Sequence, residues 1–306
     1  MHIHFDNVNF SSRSGPNTFA SRLATVLSER GHEIVNYNEP HDSVLVFIEP
    51  TRQWKKDVRI VQRLDGIWFK PNQFKTHNHL IKWAYDNSNA VVWQSNFDRK
   101  MTTKWWGEKN GIVIKNGIDA DKVTVSNQRL KKIKRDHSTV YCCSANWHRQ
   151  KRLRENIEAY DILSKDDPNS CLIVMGSNPD VNVERPDIFY TGNIKHTLCL
   201  EVYSMSDVMI HLAWRDHCPT VVVEALSQKC PVICTNSGGT QELVGQNGFI
   251  VPESIQYNFE LTDYDDPYEL DLKCLENVSV KSLLVEKPNV CLQSVADEYE
   301  KILSGE

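Results

Sequence analysis

Short apolar runs alternate along this chain with stretches of helical periodicity, the rhythm of a parallel α/β sheet whose strands are covered by helices. Ile3-His4-Phe5 opens a strand, SSRSGPN makes a polar turn, and Thr18–Arg30 carries Phe19, Leu23, Val26 and Leu27 on one helical stripe. Gly31 stands where a helix-ending glycine belongs, and Glu33-Ile34-Val35 resumes a strand. Val44–Ile48 and Ala90–Trp93 continue the pattern, and Ile112–Asp119 closes this half on an Asn-Gly turn. The charged stretch Asn127–Arg135 reads as solvated surface or linker. The pattern then restarts with Thr139–Cys142, a helix over Leu153–Leu163, and strands at Cys171–Gly176, Asp207–Ile210 and Pro231–Cys234. The acidic DYDDPYELD stretch reads as loop, and Val295, Tyr299, Ile302 and Leu303 fall at helical spacing in the tail. Two α/β domains are expected, residues 1–118 and 119–306, with a final helix over about 290–303 packing back on the first.

Composition removes several classes of function. The chain has 306 residues, 40% hydrophobic and 25% charged, ordinary values for a soluble globular protein. No apolar run approaches the roughly 20 residues that span a bilayer, and MHIHFDNVNF lacks the basic-then-apolar layout of a secretory signal. A cytoplasmic protein, at most peripheral to a membrane, is expected, although no basic amphipathic helix stands out as a docking surface. A net charge of -5 disfavours a nucleic-acid surface. The nine cysteines are scattered without metal-type pairing and read as reduced, mostly buried thiols.

The chemistry concentrates in His211–Val251. Asp216 and Glu224 have seven residues between them at the start of a helix over Val221–Lys229, with Pro219 in its first turn and Pro231 stopping it. The amides near Cys218, Thr220 and Val221 form a partial positive pole suited to phosphate or sugar oxygens. A carboxylate accepts two hydroxyl hydrogen bonds, as the cis-diol of a ribose offers. Both acids are equally explained as ordinary helix N-terminal residues. A second strand-to-helix turn, Ser237-Gly238-Gly239-Thr240, lets backbone approach a ligand closely, or is simply a turn. Arg13-Ser14-Gly15-Pro16 repeats this context near the N-terminus.

Departure of a diphosphate needs cations, and Arg149, Lys151 and Arg152 follow a strand and precede a helix, where α/β sheets meet ligands. Asp65, in Arg63-Leu64-Asp65-Gly66, ends a strand and either orients an acceptor hydroxyl or belongs to a structural Asp-Gly turn. Asp216-His217-Cys218 contains metal-ligand types, but adjacent residues do not easily converge on one ion.

Together these segments resemble the retaining nucleotide-sugar glycosyltransferases of family four, which have the GT-B fold. SGPNTFASRLATVLSERGHEIV is similar to the family's glycine loop and first helix, VVWQSNFDRK and IKNGID to its first-domain closing segment, and LIVMGS, YTGNI and His211–Val251 to its second domain. The resemblance implies two Rossmann-like domains with parallel sheets facing across a cleft, acceptor side first and nucleotide-sugar side second. It assigns Glu224 to the ribose, Asp216 to the transferred sugar, Lys151 to the diphosphate, Gly15 to the phosphate-side loop, and Gly238, Gly239 and Thr240 to the loop facing the donor sugar. The family's partner arginine falls at Asn146, a departure that leaves Arg149 or Arg152 to replace it; the family also more often has glutamate at Asp216. No essential metal or cofactor is implied, so Asp263-x-Asp265 reads as an acidic loop. The expected activity is retaining, metal-independent sugar transfer from a nucleoside-diphosphate sugar to a glycan, lipid-linked or other hydroxyl acceptor, with no nucleic-acid partner. A GT-B phosphorylase or epimerase, or a non-catalytic nucleotide- or carbohydrate-binding protein of this fold, are the alternatives.

Overall fold

Six parallel strands make the sheet of the first unit: β1 (His2–Asp6), β2 (Glu33–Val35), β3 (Ser43–Phe47), β4 (Arg59–Leu64), β5 (Ala90–Trp93) and β6 (Gly111–Val113), in the order β2-β1-β3-β4-β5-β6. The computed structural model describes residues 1–12, 14–54, 57–118, 122–263, 265–286, 288 and 290–306; Arg13 and Asp119, both within the segments read above, lie outside them. Four helices alternate with these strands: α1 (Gly15–Glu29), α2 (Phe74–His77), α3 (His79–Asn87) and α4 (Asn96–Trp106). Helix α1 starts three residues before the expected Thr18, with Pro16 in the first turn, and lays Phe19, Leu23, Val26 and Leu27 on Ile3, Phe5, Leu45 and Phe47 of the sheet. It ends at Glu29 with Arg30 as its cap, and Gly31 follows with φ +85°, a conformation that costs a glycine nothing.

The second unit has its own all-parallel sheet. Its elements are α5 (Gln128–Asp136), β7 (Val140–Ser144), α6 (Leu153–Leu163), β8 (Cys171–Met175), β9 (Ile188–Gly192), α7 (His196–Met205), β10 (Val208–His211), α8 (Thr220–Ser227), β11 (Val232–Thr235), α9 (Thr240–Val244) and β12 (Gly248–Val251), with strand order β12-β11-β10-β7-β8-β9. Tyr141, Cys143, Leu172, Val174, Val208 and Ile210 of the sheet meet Leu153, Ile157 and Tyr160 of α6 in its core. All nine cysteines are free thiols.

Contacts divide the chain into one unit of Met1–Asp119, Asn258–Asp263 and Val290–Glu306, and another of Ala120–Tyr257 and Tyr264–Asn289. The last helix, α10 (Leu292–Ser304), therefore belongs to the first unit. Leu292, Val295, Ala296, Tyr299, Ile302 and Leu303 enter the first core, and the Arg30 guanidinium donates to Asp297 at 2.7 Å and Glu300 at 2.9 Å.

The segment read as solvated surface or linker, Asn127–Arg135, is mostly solvent-exposed, but it is ordered as helix α5. The Asn127 side chain caps it by accepting from the amides of Arg129 and Leu130, and Leu130 is buried. With so few apolar side chains in it, its helical period is hidden among charges.

Candidate functional site

The strand order of the second unit creates its crevice. From β7 the chain moves outward through β8 and β9, then returns to the other side of β7 with β10. Loops leaving the C-terminal ends of β7 and β10 therefore diverge, and parallel sheets bind ligands at such a reversal point. Residues 145–152 form the first of these loops and residues 212–219 the second. Main-chain and side-chain bonds join them: the Trp214 amide donates to the Gln150 carbonyl at 2.9 Å, and the Gln150 side chain donates to the Trp214 carbonyl at 2.8 Å.

This junction brings Lys151 and Asp216 together, with Nζ 2.5 Å from Oδ2. Buried His211, the last residue of β10, puts its Nε2 3.5 Å from the same oxygen. Burial works against charge on Asp216, but Lys151 and His211 outweigh it and hold the carboxyl well below the usual carboxylate range. Burial lowers His211 despite Asp216's opposing pull, and lowers His217 to about 4, so His217 is neutral near pH 7.

The glycine turn serves the same loop. A Cβ on Gly238 would lie 2.4 Å from the Asp216 carbonyl oxygen, so only glycine fits there. Gly239 donates its amide to that oxygen at 2.8 Å, and Ser237 Oγ accepts from the Arg215 amide at 3.1 Å. The sequence assigned these glycines to ligand approach; in the structure Gly238 first lets two backbones approach each other. Thr240 begins the short α9 and is buried.

Glu224 sits inside α8, 6% exposed, and its Oε1 lies 2.9 Å from His196 Nε2 at the start of α7. Pro219 is the residue preceding α8 rather than part of its first turn, and its carbonyl accepts from Val222 at 3.1 Å and Val223 at 3.3 Å. The Thr220 and Val221 amides precede these bonds, with buried Cys218 just before them.

The other two cations read as diphosphate ligands are committed elsewhere. Arg152 takes a left-handed conformation (φ 56°) that turns its side chain inward. There, fully buried, it donates to both Glu253 oxygens at 2.6 and 3.0 Å and to the Tyr268 carbonyl at 2.7 Å. Arg149 donates to Glu155 at 2.7 Å, and Asn146 accepts from Ser177 and Asn178 at 3.0 Å each. A further arginine escaped the sequence reading. Arg215, 1% exposed, is stacked 3.6 Å from the ring centres of both Trp214 and Tyr257, and among the described residues its Nε and Nη1 have no hydrogen-bond partner. Burial lowers its pKa to about 10. Only the neighbouring Trp214 was a sequence signal; Tyr257 comes from much further along the chain.

Gly15 and Asp65 lie in the first unit. Gly15 is exposed at the start of α1. Asp65 follows β4 in a buried polar network: Arg63 donates to Asp65 and, at 2.7 Å, to Asn116, which donates to Gln94 at 2.9 Å. Burial raises the Asp65 pKa against the pull of Arg63. Asp263 faces Lys70 at 3.4 Å. Among the described residues no group of three His, Cys, Asp or Glu side chains is placed to hold a metal ion.

The family model described as "Glycosyl transferases group 1" matches residues 125–259, most of the second unit. The protein named "Putative teichuronic acid biosynthesis glycosyltransferase TuaC" of Bacillus subtilis (strain 168) is 31% identical over 110 residues, 35% of this chain. The matched part spans 28% of that relative's length. Among solved structures, the sucrose-phosphate synthase of Thermosynechococcus elongatus superposes with a TM-score of 0.67 at 12% identity, all of both chains being covered. Anabaena Alr3699/HepE, solved in complex with UDP, gives 0.66 at 16% identity, again covering all of both chains. The shared fold is GT-B, with two six-stranded parallel sheets here.

Proposed function

We propose that this protein is a retaining glycosyltransferase that moves a sugar from a nucleoside diphosphate to a hydroxyl acceptor in glycan or glycoconjugate synthesis, with no metal required. The observation that carries the reading is the Lys151–Asp216 pair where the loops after β7 and β10 diverge. The Lys151 ammonium collects the charge that develops on the diphosphate as the bond to the anomeric carbon breaks, aided by the amides of Thr220 and Val221. Asp216 accepts from hydroxyls of the transferred sugar, and Glu224, steadied by His196, accepts from the ribose diol. The acceptor attacks from the face the diphosphate leaves, a route that requires no enzymic nucleophile.

One observation favours a binding protein that has kept the fold: Arg149 and Arg152, the two arginines expected to join Lys151 at the phosphates, are both engaged by acids. A thermal-shift screen against uridine, guanosine and adenosine diphosphate sugars separates the readings when followed by NMR of the product. A ligand at a hundred times its Kd adds about 2.7 kcal/mol of stability. The proposal expects one donor to raise the melting temperature and its sugar to reappear on an acceptor with the same anomeric configuration. Stabilisation without transfer supports the binding protein, and inverted product contradicts the mechanism. The Anabaena neighbour solved with UDP and glucose makes uridine the first nucleotide to try.

A further inference from the structure

The first sheet has a reversal point of its own. From β1 the chain crosses to β2 on one side and then to β3 on the other, so the loops leaving the C-terminal ends of β1 and β3 diverge. A cavity of about 460 Å³ opens there, within the size range of small-molecule sites. It is lined by Asn9 and Phe10 after β1, Asn36 after β2, Thr51 and Arg52 after β3, and His4 within β1. All of these belong to the first unit.

His4, 8% exposed, has one nitrogen unsatisfied. Its Nδ1 lies 3.0 Å from the Val35 carbonyl, which can only accept, so the ring proton belongs on Nδ1. Burial lowers the His4 pKa and keeps the ring neutral near pH 7. Nε2 is then an acceptor, buried and, among the described residues, without a donor. A ligand hydroxyl supplies one. Arg52 is open in the complementary sense. Its Nε donates to Thr51 Oγ1 at 3.2 Å and its guanidinium stacks 4.7 Å from the Tyr37 ring, while its two Nη groups make no hydrogen bond among the described residues. The one carboxylate within 4 Å among these residues, Asp6 at 3.9 Å, is buried. It already accepts from the Asn7 and Thr51 amides, the Thr51 hydroxyl and the Trp54 ring. A guanidinium edge left open in this way suits a carboxylate or phosphate, which it meets with two parallel bonds. The Phe10 ring, 52% exposed and stacked 6.4 Å from Phe5, presents an apolar face against which a sugar ring packs.

We propose that the cavity at the ends of β1 and β3 binds a sugar carrying a carboxylate or phosphate, with Arg52 on the anionic group and His4 Nε2 on a hydroxyl. A neutral sugar satisfies His4 but leaves the Arg52 edge open, and a bare carboxylate does the reverse. On the transferase reading above, this sugar is the acceptor. That step alone rests on the reading, since the binding needs no donor.

NMR titration of the full chain with methyl glucuronide, glucose 6-phosphate and methyl glucoside, in the absence of any nucleotide sugar, tests this. At least one of the two anionic sugars is expected to bind about tenfold more tightly than methyl glucoside, and which one does so tells carboxylate from phosphate. The His4 Nε2 resonance should shift on binding as it gains a hydroxyl donor. Arg52→Gln, at an exposed position, should bring the preferred ligand down to the affinity of methyl glucoside with the melting temperature unchanged. Phe10→Ala, also exposed, should weaken all three ligands alike. No binding, equal affinity for charged and neutral sugars, or a preference that survives Arg52→Gln overturns the proposal. A chain that binds the anionic sugar through Arg52 but glycosylates nothing upholds the site and counts against the transferase reading instead.

Discussion

Asp216 is held from three directions: Lys151 and His211 fix its side chain, and Gly238 and Gly239 fix its backbone. Asp216→Asn should therefore abolish sugar transfer while nucleoside-diphosphate binding, measured by calorimetry, persists. Gly238→Ala should give the same split, because the added Cβ displaces the Asp216 carbonyl rather than any nucleotide contact. Equal loss of binding and transfer in both would make Asp216 a structural residue. The neighbouring His217 gives a pH signature. Its pKa is lowered from 6.5 to about 4, so between those values the unfolded chain binds a proton that the folded one does not. Stability from this group is then complete above pH 6.5 and is lost as pH falls toward 4 and below. A melting-temperature profile should flatten over that window in His217→Asn; an unchanged profile would refute the shift. At this scale the sequence singled out Asp216 and Glu224 by their spacing at a helix start and Lys151, with two arginines, by its place after a strand; the structure brings Lys151 and Asp216 together. The sequence could not show direction, so Arg152, one residue from Lys151, carried the same expected role although its backbone turns it into the core.

At the level of elements, the Arg152–Glu253 pair ties the start of α6 to the segment after β12. It is fully desolvated, so breaking it leaves a buried charge without a partner. Arg152→Ala should cost about 3–5 kcal/mol in urea denaturation. Arg152→Met/Glu253→Leu should recover most of that loss, whereas a double variant as unstable as the single would point to shape rather than charge. Elements whose pattern is bounded by turn residues or a regular apolar spacing were legible in advance: β2, β5 and α6 have the bounds their residues imply. Elements with mixed faces were not. Helix α5 hides its period among charges, and α3 has apolar residues on opposite faces, one packed and one exposed.

For the whole molecule, the informative feature is that the chain ends in the unit where it began. The spacing of Val295, Tyr299, Ile302 and Leu303 signalled a helix, expected to pack back on the first domain, and contacts place α10 with the first unit. Six side chains of α10 enter the first core. At roughly 1.5–3 kcal/mol for each large apolar one, their burial rivals the 5–15 kcal/mol that holds a domain folded. Removing residues 290–306 should unfold the first unit although all six of its strands remain, and hydrogen exchange should show protection lost in β1–β6 but kept in β7–β12. Retained protection in β1–β6 would show that the helix is an accessory. The central claim is that Lys151 and Glu224 act on one nucleotide-sugar donor, and release of nucleoside diphosphate by the intact chain tests it most directly. Wild type should release it with an acceptor present, Lys151→Ala should turn over about 100-fold more slowly or worse, and Glu224→Gln should chiefly raise the donor KM; equal rates in all three would contradict the account.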